Sequence, residues 1–105
     1  MADFFKILQQ AQEMQGRLQS VQEELRQKTV VGSAGGGMVT AEADGRGHVR
    51  RVKIDPAVVK PDDIEMLEDL VLAAVAEAQR KATDLAQEEM GKITGGMQLP
   101  FKLPF

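Results

Sequence analysis

The sequence contains no cysteine, no tryptophan and no tyrosine, and only four phenylalanines, two of them in its last five residues. Without cysteine there is no disulfide framework, no thiolate zinc site and no cysteine nucleophile, and the chain suits a reducing compartment. Without aromatic bulk, the core has to be assembled from Leu, Val, Ile, Met and Ala. Histidine is nearly missing too. His48 stands alone, and a metal site or general base needs partners that no spacing gathers around it. Ser20 and Ser33 have no evident base. No Gly-Lys-[Ser/Thr] follows the glycines of 32–37 and no helix opens there, so that segment reads as a turn between strands rather than a phosphate cradle. Long apolar runs are also missing: Leu70 to Ala76 is flanked by Asp69 and Glu77 and is far too short to cross a bilayer. Asp3 stands where the cationic region of a signal peptide would lie. The expectation is a soluble intracellular protein that is not an enzyme and holds no metal, cofactor or membrane.

What the chain does have is periodicity. Phe4, Ile7, Ala11, Met14, Leu18, Val21 and Leu25 follow a 3-4 spacing, and Leu8 widens the stripe. This predicts a helix over about 3–28 whose apolar seam must lie against another helix. Gly16 falls on its outer face, at a cost of about 1 kcal/mol relative to Ala. At 105 residues the chain is one domain, and only one other long helical stretch is available. A shared core between two chains is therefore expected, with Phe4, Ile7, Met14, Leu18, Val21, Leu25, Leu67 and Val71 as the seam and core positions.

After Lys28 the period changes. Thr29-Val30-Val31 opens a β pattern, 32–37 is a glycine-rich turn, and Met38 to Ala43 alternates. Asp44-Gly45-Arg46-Gly47 reads as a tight hairpin turn and His48 to Ile54 as the returning strand. A two-residue loop would put Val39, Ala41 and Ala43 on one face with His48, Arg50, Val52 and Ile54. It would put Thr40 and Glu42 on the other with Val49, Arg51 and Lys53. Asp55-Pro56 ends the sheet, which spans about 29–55. Asp62 and Glu65 resemble a capping box opening a last helix over about 62–91, with a stripe of Ile64, Leu67, Val71, Ala74, Ala78, Ala82 and Leu85. The apolar tail 95–105 is broken by Pro100 and Pro104; such a tail either clamps onto a groove or stays loose, and its greasiness favours clamping. The fold class is α+β, ordered α-β-β-β-α, with a three-stranded antiparallel sheet and two long helices.

The net charge of −3 is unevenly spread. Residues 26–60 carry seven basic side chains against three acidic ones, whereas 61–105 carry four against nine. Binding to nucleic acid needs local rather than global positive potential, and the middle section supplies it. Solubilisation of each element explains the same counts.

Gly32 to Val39, then Val52-Lys53-Ile54-Asp55-Pro56, then Leu67-Glu68-Asp69-Leu70-Val71 with Ala73-Ala74 resemble the YbaB/EbfC nucleoid-associated proteins. The resemblance runs from the Gln- and Met-rich first helix to Lys92-Ile93-Thr94-Gly95-Gly96. Two departures stand out: Ala76-Glu77 where the family often has Asn-Asp, and a tail with Pro100-Phe101 and Pro104-Phe105 in place of a Pro-Gly-Phe-like ending. The resemblance implies a bacterial cytoplasmic protein of the nucleoid, forming a tweezer-like homodimer that binds DNA and organises the nucleoid or influences transcription. In such a dimer helix-borne cations reach a duplex best. Lys6, Arg17, Arg26, Lys28, Arg80 and Lys81 therefore rank first as DNA contacts, and Arg51 and Lys53, which also face Glu42, rank second. The glutamines circle the first helix, and no helix-turn-helix spacing or basic arm is present, so contact with phosphates rather than bases is expected. A different class stays open: a protein-interaction module accessory to replication or recombination machinery, recruiting its partner through the acidic last helix and the tail.

Overall fold

The computed structural model describes residues 2–94; the tail expected over 95–105 lies outside them. Helix α1 (Ala2–Gln27) leads into strands β1 (Thr29–Ala34), β2 (Val39–Asp44) and β3 (Val49–Ile54). A single 3-10 turn (Pro56–Val58) follows, and helix α2 (Ile64–Thr94) ends the described chain. The strands form one antiparallel sheet in the order β1-β2-β3. The α-β-β-β-α architecture is the one expected from the sequence.

Small residues bring α2 down onto the sheet. Val39, Ala41 and Ala43 of β2 are buried against Ala74 and Ala78 of α2, and Val30, Ala34, Leu67, Leu70, Val71 and Val75 close the cluster. Gly32 sits inside β1, opposite Ala41, rather than in the turn. A methyl group there would lie 2.2 Å from the Ala74 carbonyl oxygen and 2.4 Å from the Ala78 nitrogen. The β1–β2 turn is left to Gly35, Gly36 and Gly37, all at positive φ, a conformation that side chains resist.

Helix α2 lies over β1 and β2 and leaves β3 largely bare. Its Lys81 reaches the Val31 carbonyl of β1, whereas Gln79 on its other flank reaches the Gly47 carbonyl of the β2–β3 turn. Leu72, Val75 and Gln79 share a helical stripe, so that stripe faces β3. Between it and β3 runs an uncovered trough in which Val49, Val52 and Ile54 are about two-fifths exposed and Leu72 is 69% exposed.

A second cluster lies farther along α2, where Met90 and Ile93 pack on Val21 and Leu25 of α1, with Met14, Leu18, Leu85 and Ala86 around them. Helix α1 beyond this cluster is an arm: every residue from Asp3 to Glu13 is exposed. The radius of gyration is 19.6 Å, against about 13 Å for a compact chain of this length. The expected seam therefore divides. Val21 and Leu25 are buried, Met14 and Leu18 are half-buried within the same chain, and Phe4 and Ile7 are bare. Leu67 and Val71 are half-buried against the sheet.

Two local expectations are corrected. The N-cap of α2 is Asp63, whose Oδ1 accepts the Met66 N–H at 3.2 Å, not Asp62. The hairpin loop is longer than two residues, and a β-bulge falls between Glu42 and Ala43, pairing Ala43 with Val49. Val49 thus joins the inner face, and Arg50 becomes the extra residue of the bulge.

Gly32→Ala should cost about 3 kcal/mol, because both obstacles are backbone atoms that cannot move aside. Gly16 has nothing within 4 Å of where an added methyl group would stand. Its replacement by Ala should gain up to about 1 kcal/mol. Thermal melts followed by circular dichroism check both signs.

Candidate nucleic-acid interface

The β2–β3 turn is built around one carboxylate. Asp44, only 1% exposed, accepts the Arg46 N–H at 2.8 Å and the His48 N–H at 3.1 Å on Oδ1. Its Oδ2 lies 3.2 Å from Arg50 Nη2 and 3.5 Å from His48 Nδ1. Burial pushes its pKa up, but the two main-chain N–H groups and the Coulomb pull of His48 and Arg50 outweigh that, leaving it below the ordinary 3.8. The same Arg50 nitrogen donates to the Arg26 carbonyl at 2.6 Å, and the Gly45 N–H donates to the Leu25 carbonyl at 2.7 Å. These bonds cap the carbonyl end of α1, where Leu25 also accepts the Lys28 N–H at 3.2 Å. A side chain at 45 would meet that Leu25 oxygen at 2.7 Å. The hairpin tip therefore clamps the root of the arm.

The outer face of β2 and β3 carries two cations without ion pairs among the described residues. Arg51 pairs across the strands with Glu42 and Lys53 with Thr40, and these four side chains line one shallow depression. Neither Arg51 nor Lys53 makes an ion pair among the described residues. Glu42 faces Arg51 across the strands, with no ion pair between them. From Gly45 to Ile54 the chain holds Arg46, Arg50, Arg51 and Lys53 and no acid.

The helical candidates are placed differently. Arg26 pairs with Glu23 at 2.6 Å. Lys28 pairs at 3.4 Å with Glu89, which Lys92 also holds at 3.2 Å. Lys81 bonds Glu77 at 3.2 Å and the Val31 carbonyl at 2.8 Å. The hydrogen bond from Lys81, with Arg80 nearby, holds the Glu77 carboxyl below its usual value, and the hydrogen bond from Lys92 does the same for Glu89. Lys6 and Arg17 make no ion pair among the described residues, but the arm that bears them also bears Asp3 and Glu13. The structure thus brings Arg51 and Lys53 together, leaves Lys6 and Arg17 spread along the arm and Arg80 exposed on α2 without an ion pair among the described residues, and engages Arg26, Lys28 and Lys81 internally. Arg46 and Arg50 were not among the candidates read from the sequence; the acid-free stretch from 46 to 53, with four cations, was the available signal.

Among the described residues no cluster of His, Asp and Glu could hold a metal ion, and no helix is long and apolar enough to cross a membrane. Among the described residues the arrangement is a two-helix α+β scaffold that presents Arg51 and Lys53 on the outer face of its sheet.

The chain belongs to the YbaB/EbfC DNA-binding family, whose model matches residues 1–97. It is 58% identical over 103 residues to a protein of Gemmatimonas aurantiaca named nucleoid-associated protein, covering 98% of this chain and 99% of that one. A nucleoid-associated protein of Desulfotalea psychrophila is 48% identical over 98 residues, covering 93% and 92%. The crystal structure of an uncharacterized protein from Helicobacter pylori superposes with a TM-score of 0.67 over 90% of this chain and 95% of that one. At 18% identity it speaks for the fold.

Because the folded Asp44 binds its proton more weakly than the ordinary 3.8 implies, its contribution to stability is complete above that value. The contribution is lost as pH falls through the lower folded value. Asp44→Asn should therefore melt well below the wild type at neutral pH, with the gap closing under acid conditions. Paired melts across a pH series read this directly.

Proposed function

We propose that the protein is a DNA-binding, nucleoid-associated homodimer of the bacterial cytoplasm that grips duplex phosphates through the outer sheet face and reads few bases. The observation that carries this reading is the pair Arg51 and Lys53, side by side on an exposed face and free of ion pairs among the described residues. Membership of the family supplies the partner class. In this reading the sheet pair ranks ahead of the helical cations, because Arg26, Lys28 and Lys81 are already engaged within the chain. Neutralised phosphates release counterions, so affinity depends on salt rather than on sequence.

The same proposal includes the dimer, now placed on the trough between α2 and β3. Val49, Val52, Ile54 and Leu72 form an apolar surface that a single chain leaves in water, and such a surface on a small protein marks an interaction site. A second copy turned about a two-fold axis would bring its own trough to the same place.

Four sheet cations per dimer should give a log–log salt slope of about −4. Arg51→Glu with Lys53→Glu should flatten that slope and lower affinity at least tenfold, while Lys6→Glu should have a smaller effect. Titrations of a labelled duplex against salt test this. Loss on the arm but not on the sheet would restore the helix-first order, and salt-independent behaviour would favour the protein-recruitment reading. Light scattering should give twice the 11.5 kDa chain mass, and Val52→Asp should halve it by placing an unpaired charge in the interface.

A further inference from the structure

The α1 arm carries a second bare surface, apart from the trough. Phe4, Ile7 and Leu8 are 60%, 62% and 45% exposed, and Ala11 is exposed beside them. They continue the stripe whose lower part packs toward Met90 and Ile93. The two helices run antiparallel, since Leu25 lies beside Ala82 and Ala86, while Ile93 lies beside Arg17 and Val21. The described part of α2 thus gives out near Arg17, and the stripe continues past it without cover from the described residues.

The uncovered part of the arm is complementary to itself. In heptad terms Phe4 and Ala11 are a positions, and Ile7 and Met14 are d positions. Leu8 flanks this seam on one side, at e, whereas Asp3, Gln10 and Arg17 flank it on the other, at g. A two-fold axis that reverses one helix sets a against d, e against e and g against g. With the axis level with Gln9, Phe4 meets the Met14 of a second copy, and the bulky Ile7 meets its small Ala11. On the flanks Leu8 meets Leu8 and Gln10 meets Gln10. The same register sets Asp3 opposite Arg17, and neither makes an ion pair among the described residues.

A recess stands where the ring of Phe4 has to go. Gln10, Glu13, Met14 and Arg17 line an open hollow of about 130 Å³, on the order of the cavity volume that accepts one benzene ring. Length also matches, because each copy offers the same stretch from Phe4 to Met14, about 15 Å along the helix.

We propose that the arms of two copies pair antiparallel along Phe4–Met14, each Phe4 seated beside the other copy's Met14 and each Asp3 against the other copy's Arg17. This pairing depends on neither the DNA reading nor the trough reading. A seam this short gains little beyond the cost of bringing two chains together. It therefore forms where copies are crowded and adds nothing to the chain mass in dilute solution.

The absence of cysteine makes the test clean. At submillimolar concentration a short bismaleimide should join two chains through Leu8→Cys or through Gln10→Cys, both beside the axis. Gln9→Cys, on the outer side of the arm, should react at least tenfold more slowly, with denaturing gels reading the product. Asp3→Arg should slow linkage through Leu8→Cys several-fold, and adding Arg17→Asp should restore it. Circular dichroism should show the helices intact in every variant, because all four positions are exposed. Equal rates at residues 8, 9 and 10 would overturn the proposal; that result is expected of an arm that stays alone or is covered by its own chain. Failure of the charge swap to restore linkage would overturn the antiparallel register and the proposal with it.

Discussion

The carbonyls at the end of α1 need donors, and the β2–β3 turn is shaped to supply them. Gly45 gives its N–H to Leu25 and Arg50 gives a guanidinium nitrogen to Arg26. Much of the hairpin's local irregularity follows from that demand. Asp44 is buried because it holds the turn and orients Arg50, and residue 45 is glycine because the Leu25 oxygen leaves no room for a methyl group. The bulge places Arg50 out of the pairing register, where it reaches both Asp44 and α1. A helix end that would otherwise be solvated thus becomes a rigid mount for a projecting arm.

A second constraint is the size of the side chains between α2 and the sheet. Alanines at 41, 43, 74 and 78, with Gly32, allow a close approach, and close approach is possible only over the strands that carry them. Strand β3 has Val49, Val52 and Ile54 at the corresponding face and lies beside α2 rather than beneath it. The tight half of the interface and the bare half arise from one distribution of volume.

Much of the fold was legible in the sequence because it depends on local period: seven apolar positions at 3-4 spacing gave α1, and alternation gave the strands. Three features were not legible, each for a long-range reason. Gly32 looks like part of a glycine-rich turn until Ala74, forty-two positions later, explains its place in a strand. The hairpin register depends on Arg50, which is held by Asp44 and reaches the Arg26 carbonyl at the end of α1, twenty-four positions earlier. The α1 seam reads as one continuous surface, yet α2 covers only its lower half. For the site, the basic run of β3 was visible, but its ranking was not. Whether a helical lysine is free depends on partners such as Glu89, 61 residues away from Lys28.

The 31 residues of α2 serve both clusters, the sheet through Ala74 and Ala78 and the arm through Met90 and Ile93. Those clusters are joined by an uninterrupted helix, so their relative rotation is counted in residues. One residue inserted between Ala78 and Met90 would turn the arm's seat by about 100° around the helix axis and slide it by about 1.5 Å. The hairpin tip could then no longer meet the end of α1. Substitutions along this stretch leave the geometry intact as long as they keep its volumes, whereas insertions and deletions do not. In this molecule the length of a helix is the ruler that sets the direction of an arm.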